Sequence, residues 1–264
     1  MKSGVCMPIV TVASGKGGAT KTTTAFALAD ALREMKQEPI LLDLDPGASL
    51  TVSAGFIPDG QHAVAFLNGT GSVAELSTTT KDGAVIIPGS PALNAGNTDR
   101  TETVRWARSL RRAGEDHLVI ADTAQGLALP STRAALLAAD YIVVPMQPEP
   151  NAIKRSYPDV LALLRIFRGD PELLAEFPLK PILLFAMTKY NSRLALSRFL
   201  LDELSSDGVT IAAYIPVSVK APEAELSGKS VLGFAPNSPV AKGYRDLART
   251  LIAAMNSQKL ALSN

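Results

Sequence analysis

One cysteine and two histidines are all that this sequence offers to disulfides or soft metals. Cys6 alone rules out an intramolecular disulfide framework and any four-cysteine iron–sulfur or zinc site within one chain. His62 and His117 argue against a histidine-based metal site. An excess of one charge is missing as well: 26 Lys and Arg against 25 Asp and Glu leave +1. No global field draws the chain to nucleic acid or membrane, so any such attraction must come from a local patch. Long apolar runs are absent at the start, where Lys2 and a brief apolar stretch meet charged and Gly-rich residues at once. That is neither a signal peptide nor a membrane span, and a cytoplasmic location is the expectation. What is present is core material. With 47% hydrophobic and 19% charged residues over 264 positions, the chain suits one large α/β domain.

The stretch Val10–Thr24, VTVASGKGGATKTTT, carries the chemistry. Ile9–Ala13 reads as a short buried strand, and Gly15, Gly17 and Gly18 make the next residues a glycine loop. From Lys21 onward, Phe26, Ala27, Ala29, Leu32 and Met35 fall at helical spacing. Strand, glycine loop and helix together let backbone N–H groups wrap phosphate oxygens at a helix N-terminus. Lys21 would meet β- and γ-phosphates and the Thr22 hydroxyl would hold Mg²⁺. The match to the Walker A pattern is imperfect, because Thr20 stands where that pattern has glycine before the lysine. A glycine loop can also be a plain strand-to-helix connection, but two lysines in so short a loop need a counter-charge.

Along the chain, strand and helix alternate. The reading places strands at Pro39–Asp45, Ala84–Pro88, Asp116–Asp122, Tyr141–Pro145, Pro181–Met187 and Thr210–Ile215. Helices are read at Thr22–Met35, Gln61–Leu67, Asp99–Ala113, Leu127–Ala139, Ile153–Phe167, Ser192–Ser205 and Ala241–Met255. Residues 48–83 are otherwise hard to assign, being small and rich in Ser, Thr and Gly. Continuous apolar strands in β-α alternation predict a doubly wound, mostly parallel sheet covered on both faces, as one domain spanning 1–264 with a short tail at 256–264. Ligands of such sheets sit at the carboxyl ends of strands, where Asp43, Asp45 and Asp122 fall. Any one of them could be a turn former; three beside one loop are harder to dismiss. Asp122, after HLVIA, has the Walker B form.

GKGGATKTTTAFALADAL, LLDLDP, VIAD, VVPMQPEPNAI, MTKYNSR, IPVSVKAPEAELSGKSV and APNSPVAKGYRDLA follow one another in this chain. In that order they resemble the ParA/MinD family of deviant Walker A ATPases, and most of all the short, Soj-like ParA partition ATPases. The resemblance runs from about Met7 to Met255. It implies an ATPase that uses ATP and Mg²⁺, slow by itself and stimulated by a ParB-like adaptor. It also implies a homodimer in the ATP state that binds DNA non-specifically at the nucleoid. Carried onto this chain, Lys16 is the signature lysine that reaches the partner subunit's phosphates, and Gly17, Gly18, Ala19 and Thr20 complete the phosphate loop with Lys21. Thr22 is the Mg²⁺ ligand and Thr23 an α-phosphate contact. Asp45 positions the attacking water, Asp43 lies close to the waters of the metal, and Asp122 is Walker B. Thr188–Arg193 and Ile215–Ser218, with Pro216, lie near the adenine. Arg193 and Lys220 match basic residues that hold DNA.

The chain departs from the family at Thr20, at Asp45-Pro46-Gly47-Ala48-Ser49 and at Asp122-Thr123-Ala124-Gln125-Gly126. Val217 replaces an arginine that faces DNA in the family. These changes keep a nucleotide-gated binding switch with little turnover in view. A membrane-associated, MinD-like role is disfavoured, because NSQKLALSN at 256–264 is not a basic amphipathic helix. Arg105, Arg108, Arg111 and Arg112 form a basic stripe that reads first as a solvated helix face, and Trp106 reads as packed.

Overall fold

A strand that carries apolar side chains on both faces must be covered on both. In the computed structural model, which describes residues 7–263 apart from 59, 96–99, 179, 207 and 208, this is what the chain builds. Cys6 and Asp99 lie outside the described residues. β1 (Ile9–Val12) leads through the glycine loop to α1 (Lys21–Glu34), β2 (Ile40–Leu44), α2 (Ser49–Ser53), α3 (His62–Asn68) and α4 (Val73–Leu76). β3 (Thr78–Thr79) and β4 (Val85–Ile87) follow, then α5 (Arg100–Ala113), β5 (Val119–Thr123), α6 (Pro130–Ala138) and β6 (Tyr141–Met146). Next come α7 (Pro150–Arg168), α8 (Pro171–Glu176), β7 (Ile182–Tyr190) and α9 (Ala195–Ser206). β8 (Ile211–Pro216), α10 (Lys220–Leu226), α11 (Val231–Phe234) and α12 (Pro239–Ser263) complete the order.

The sheet has eight strands in the order β3-β4-β2-β5-β1-β6-β7-β8. All neighbours are parallel except β3 and β4. β1, β2, β5 and β6 are buried along their whole length. Successive residues feed opposite cores, as the two-residue period of a strand requires. Ile9, Leu42, Leu44 and Ala121 join one cluster with α5, α6 and α7; Val10, Val12, Leu41 and Ile120 join the other with α1 and α12. β1 lies between β5 and β6, so the chain leaves it to one side through β2 and later crosses to the other through β6. At such a reversal the connections diverge and leave a crevice at the strands' carboxyl ends.

Several boundaries differ from the sequence reading. α6 starts at Pro130 rather than Leu127, because proline suits the first helical position, where its missing N–H costs nothing. β7 runs on to Tyr190 rather than stopping at Met187. α12 continues to Ser263 through the stretch read as a tail: no Gly or Pro interrupts residues 256–263, and the Tyr141 hydroxyl donates to Gln258 Oε1. The additional strand β3 and helices α2, α4, α8, α10 and α11 are each too short to show a period. Trp106 is packed, 2% exposed, with Nε1–H donating to Asn68 Oδ1 at 3.0 Å.

Candidate active site

Parallel register sets Asp43 of β2 directly opposite Asp122 of β5, which in turn faces Val12 at the end of β1. Asp122 is fully buried. Its Oδ2 accepts from the Thr22 hydroxyl at 2.8 Å, while its Oδ1 is buried with no hydrogen-bond partner among the described residues. Burial pushes this carboxyl well above the usual range and the Asp43 carboxylate adds to the push, against the Thr22 hydroxyl and the Lys21 ammonium. An orphaned buried oxygen beside a threonine hydroxyl fits a hard cation that takes oxygen ligands. Among the described residues no group of three or more His, Cys, Asp or Glu could hold a metal. Mg²⁺ usually takes one or two protein ligands and leaves the rest to phosphates and water, and Thr22 with Asp122 would supply that number.

Asp43 is engaged within the fold. It is fully buried, and its Oδ2 accepts from both Thr51 N–H (2.8 Å) and the Thr51 hydroxyl (2.7 Å). Its Oδ1 accepts from Asp45 N–H at 3.1 Å. Burial raises its carboxyl to about 6 even against these bonds. Through these bonds Asp43 ties α2 and the Asp45 loop to the sheet. Asp45 itself is half-buried; Oδ1 accepts from Gly47 N–H (2.9 Å) and Oδ2 from the Ser49 hydroxyl (3.2 Å).

The glycine loop is shaped by what crowds it. A side chain at Gly17 would strike the Gln125 amide, 2.4 Å from the ideal Cβ position, and Gly18 has φ +67°. Gln147 Nε2 donates to the Gly18 carbonyl at 2.6 Å and braces the loop from the end of β6. Lys21 follows at the start of α1, 8% exposed, and among the described residues it makes no ion pair or side-chain hydrogen bond. Burial lowers its pKa, opposed by Asp122 and Asp45. Lys16 is turned outward, with Nζ 2.7 Å from Glu149 Oε2. That ion pair is more than half exposed on the Glu149 side and is worth about 0–1 kcal/mol, so it can yield to a better anion.

Thr20 has φ 61° and ψ 26°, the left-handed region, which costs a β-branched residue about 1–3 kcal/mol. Its hydroxyl proton is shared between the Ala19 carbonyl (2.6 Å) and Thr188 Oγ1 (2.9 Å), and Thr188 donates to the Met146 carbonyl. Thr20→Gly removes the strain, but it also removes a hydrogen bond worth about 1 kcal/mol and adds backbone entropy of about 0.5–1 kcal/mol. The expected result is a melting temperature close to wild type and ATP affinity or turnover raised about two- to fivefold. Thr20→Ala keeps the strain without the hydroxyl and should lose about 1 kcal/mol of stability. A clear fall in ATP turnover in Thr20→Gly would instead show that the link to Thr188 sets the loop for reaction.

The later part of the glycine loop and the first turn of α1 open onto a cavity of about 560 Å³, whose lining does not include Lys16, Gly17, Asp43 or Asp122. Gly18–Thr23 and Asp45 form one end; Thr188, Lys189 and Ile215–Ser218 form another; Ala221, Pro222, Glu225, Val240 and Tyr244 wall the side. Its size falls in the range of small-molecule sites.

A family model described as an AAA domain matches residues 7–157. The chain is also 32% identical to the chromosome-partitioning ATPase Soj of Thermus thermophilus, over 92% of this chain and 95% of that one. The chain belongs to the ParA/MinD family of P-loop ATPases. Two of the solved structures that share the fold hold a nucleotide. One is an McdA variant from Cyanothece in complex with ATP (TM-score 0.77, 19% identity, 94% of this chain and 97% of that one). The other is cobyrinic acid a,c-diamide synthase from Mycobacterium smegmatis with bound ADP and magnesium (0.71, 25%, 96% of each). The fold is thus shared with a synthase as well as with McdA.

Against the ParA/MinD pattern, the structure brings Lys21, Thr22, Thr23, Asp45 and Pro216 to one cavity and leaves Arg193 and Lys220 exposed outside it. Lys220 is paired with Glu223 at 2.8 Å. The arginine stripe of α5 is largely neutralised: Arg105 by Glu102, Arg108 by Glu176 and Arg111 by Asp140. Sequence reasoning missed Gln147 and Glu225 as site residues, and it placed Thr188 near the adenine without its link to Thr20. Gln147 and Thr188 stand in quoted motifs, but nothing local tells that their side chains turn back to the glycine loop.

Proposed function

We propose that the protein is an ATP-driven positioning switch. Two subunits pair face to face around MgATP, the pair holds DNA without reading its sequence, and hydrolysis prompted by a ParB-like adaptor separates them. Such a switch works in the cytoplasm, on the nucleoid. The observation that carries the reading is Lys21: a buried ammonium, without an ion pair among the described residues, set at the mouth of a glycine loop. Triphosphate is the counter-charge this arrangement suits. Thr22 and Asp122 would hold Mg²⁺, which when bound supplies positive charge to the phosphate oxygens. Asp45 orients the attacking water. Lys16 exchanges Glu149 for the partner's phosphates. Likeness to chromosome-partitioning Soj over nearly both full lengths supports partition over other uses of the fold. Among the described residues no helix is long and apolar enough to cross a membrane.

DNA must be held by local charge, since the chain totals only +1. Arg193, Lys220 and Lys242 are exposed; Lys220 is paired with Glu223, as Arg245 is with Glu34 and Arg249 with Asp246. Binding is expected to require ATP, to be indifferent to duplex sequence and to weaken steeply with salt, by about 0.9 in the log–log slope per phosphate contact. Arg193→Ala and Lys220→Ala should each lower that slope by roughly 1–2, two copies being lost per dimer, with ATP binding intact. Salt titration of plasmid binding measures this. If the ATP-loaded protein binds plasmid no better than the apo protein at low salt, the partition reading fails.

A further inference from the structure

Two acidic side chains reach the cavity: Asp45 at the phosphate end, and Glu225 on α10. Glu225 is half-buried, and its Oε1 accepts from the Thr23 hydroxyl at 2.6 Å, linking α10 to the first turn of α1. Among the described residues its Oε2 has no hydrogen-bond partner. Negative charge beside a helix N-terminus is favourable by itself, which accounts for the carboxylate's stability there but not for its place on the cavity wall. An ionised carboxylate only accepts hydrogen bonds. Beside a triphosphate it cannot face phosphate oxygens, because like charges repel. The donors that remain on a nucleotide near the α-phosphate are the neutral hydroxyls of the sugar. The sugar is joined to that phosphate, which Thr23 would meet, and Glu225 is bonded to Thr23 and lines the same cavity as Ala221 and Pro222.

We propose that Glu225 accepts hydrogen bonds from the ribose hydroxyls of the bound nucleotide and so selects ribonucleotides. The proposal rests on the nucleotide reading of the cavity and adds a specificity-determining residue to it. Calorimetric titration of the full chain with MgATP and with Mg-2′,3′-dideoxyATP tests it. Wild type should bind ATP about tenfold tighter, the scale of a partly exposed charge-assisted hydrogen bond. Glu225→Ala should lose most of its ATP affinity advantage, bringing the two nucleotides within about twofold, with binding of the dideoxy form little changed. Glu225→Gln, which keeps one acceptor oxygen, should retain an intermediate preference; melting curves check that both variants fold. Equal binding of both nucleotides by wild type overturns the proposal without recourse to any variant. So does tighter binding of both by Glu225→Ala in the same proportion, which would mean that the carboxylate merely repels phosphate. Absence of ATP binding by wild type would overturn the nucleotide reading itself, a result distinct from equal binding.

Discussion

Lys21→Ala is expected to abolish ATP binding, with affinity falling by a hundredfold or more. The ammonium is 8% exposed and has no ion pair among the described residues, so its hydrogen-bonding capacity is available to phosphate oxygens. Two charge-assisted bonds at about 1.5–3 kcal/mol each amount to about 3–6 kcal/mol, or roughly 10²–10⁴ in affinity. Lys21→Met separates charge from packing, since it fills much of the same volume without the ammonium, and it should lose ATP binding equally. Burial already lowers the lysine's pKa against the pull of Asp122 and Asp45. Neither variant should therefore unfold the apo protein, and thermal melting checks that. Unchanged ATP affinity by calorimetry would mean that the glycine loop is only a strand-to-helix connection.

Lys16 and Asp45 should act after binding. Lys16→Ala is expected to bind ATP yet fail to dimerise or hydrolyse it, with turnover reduced by about 10³–10⁵, the scale of a cation supplied in trans. The Lys16–Glu149 pair is no obstacle to that role, because a half-exposed ion pair is weak compared with contact to a triphosphate. Asp45→Ala should instead accumulate the ATP-bound dimer, because binding survives while the water loses the group that orients it. The variant also removes the acceptor for Gly47 N–H and the Ser49 hydroxyl, so its melting temperature should fall modestly. Size-exclusion chromatography with ATP, alongside phosphate release, distinguishes the two. Wild-type turnover in either variant would take that residue off the catalytic path.

The parts of this protein legible in its sequence are those whose cause is local. Gly17 and Gly18 between a buried strand and a helix announce the loop, and apolar runs such as ILLDL and YIVVPM announce strands covered on both faces. The strand-end aspartates are visible because carboxylates interrupt those runs. The short helices α4, α10 and α11 are not legible, since one or two turns hold too few positions to establish a period. Asp43 and Asp122 look alike in sequence, each a carboxylate near the end of an apolar strand. Only the fold tells them apart: Thr51 and the Asp45 amide occupy Asp43, while Asp122 keeps one oxygen without a partner among the described residues.

By itself, then, the sequence determined the α/β architecture, the glycine loop with its two lysines and the family to which the chain belongs. The tertiary structure alone decided which groups meet at the loop. Lys16 meets Glu149 across 133 positions, Thr20 meets Thr188 across 168 and Thr23 meets Glu225 across 202. The reason is physical. Periodicity and turn chemistry act over a few residues, whereas these pairings depend on strand order and register, which place β1 between β5 and β6 and bring the ends of distant connections together over one crevice.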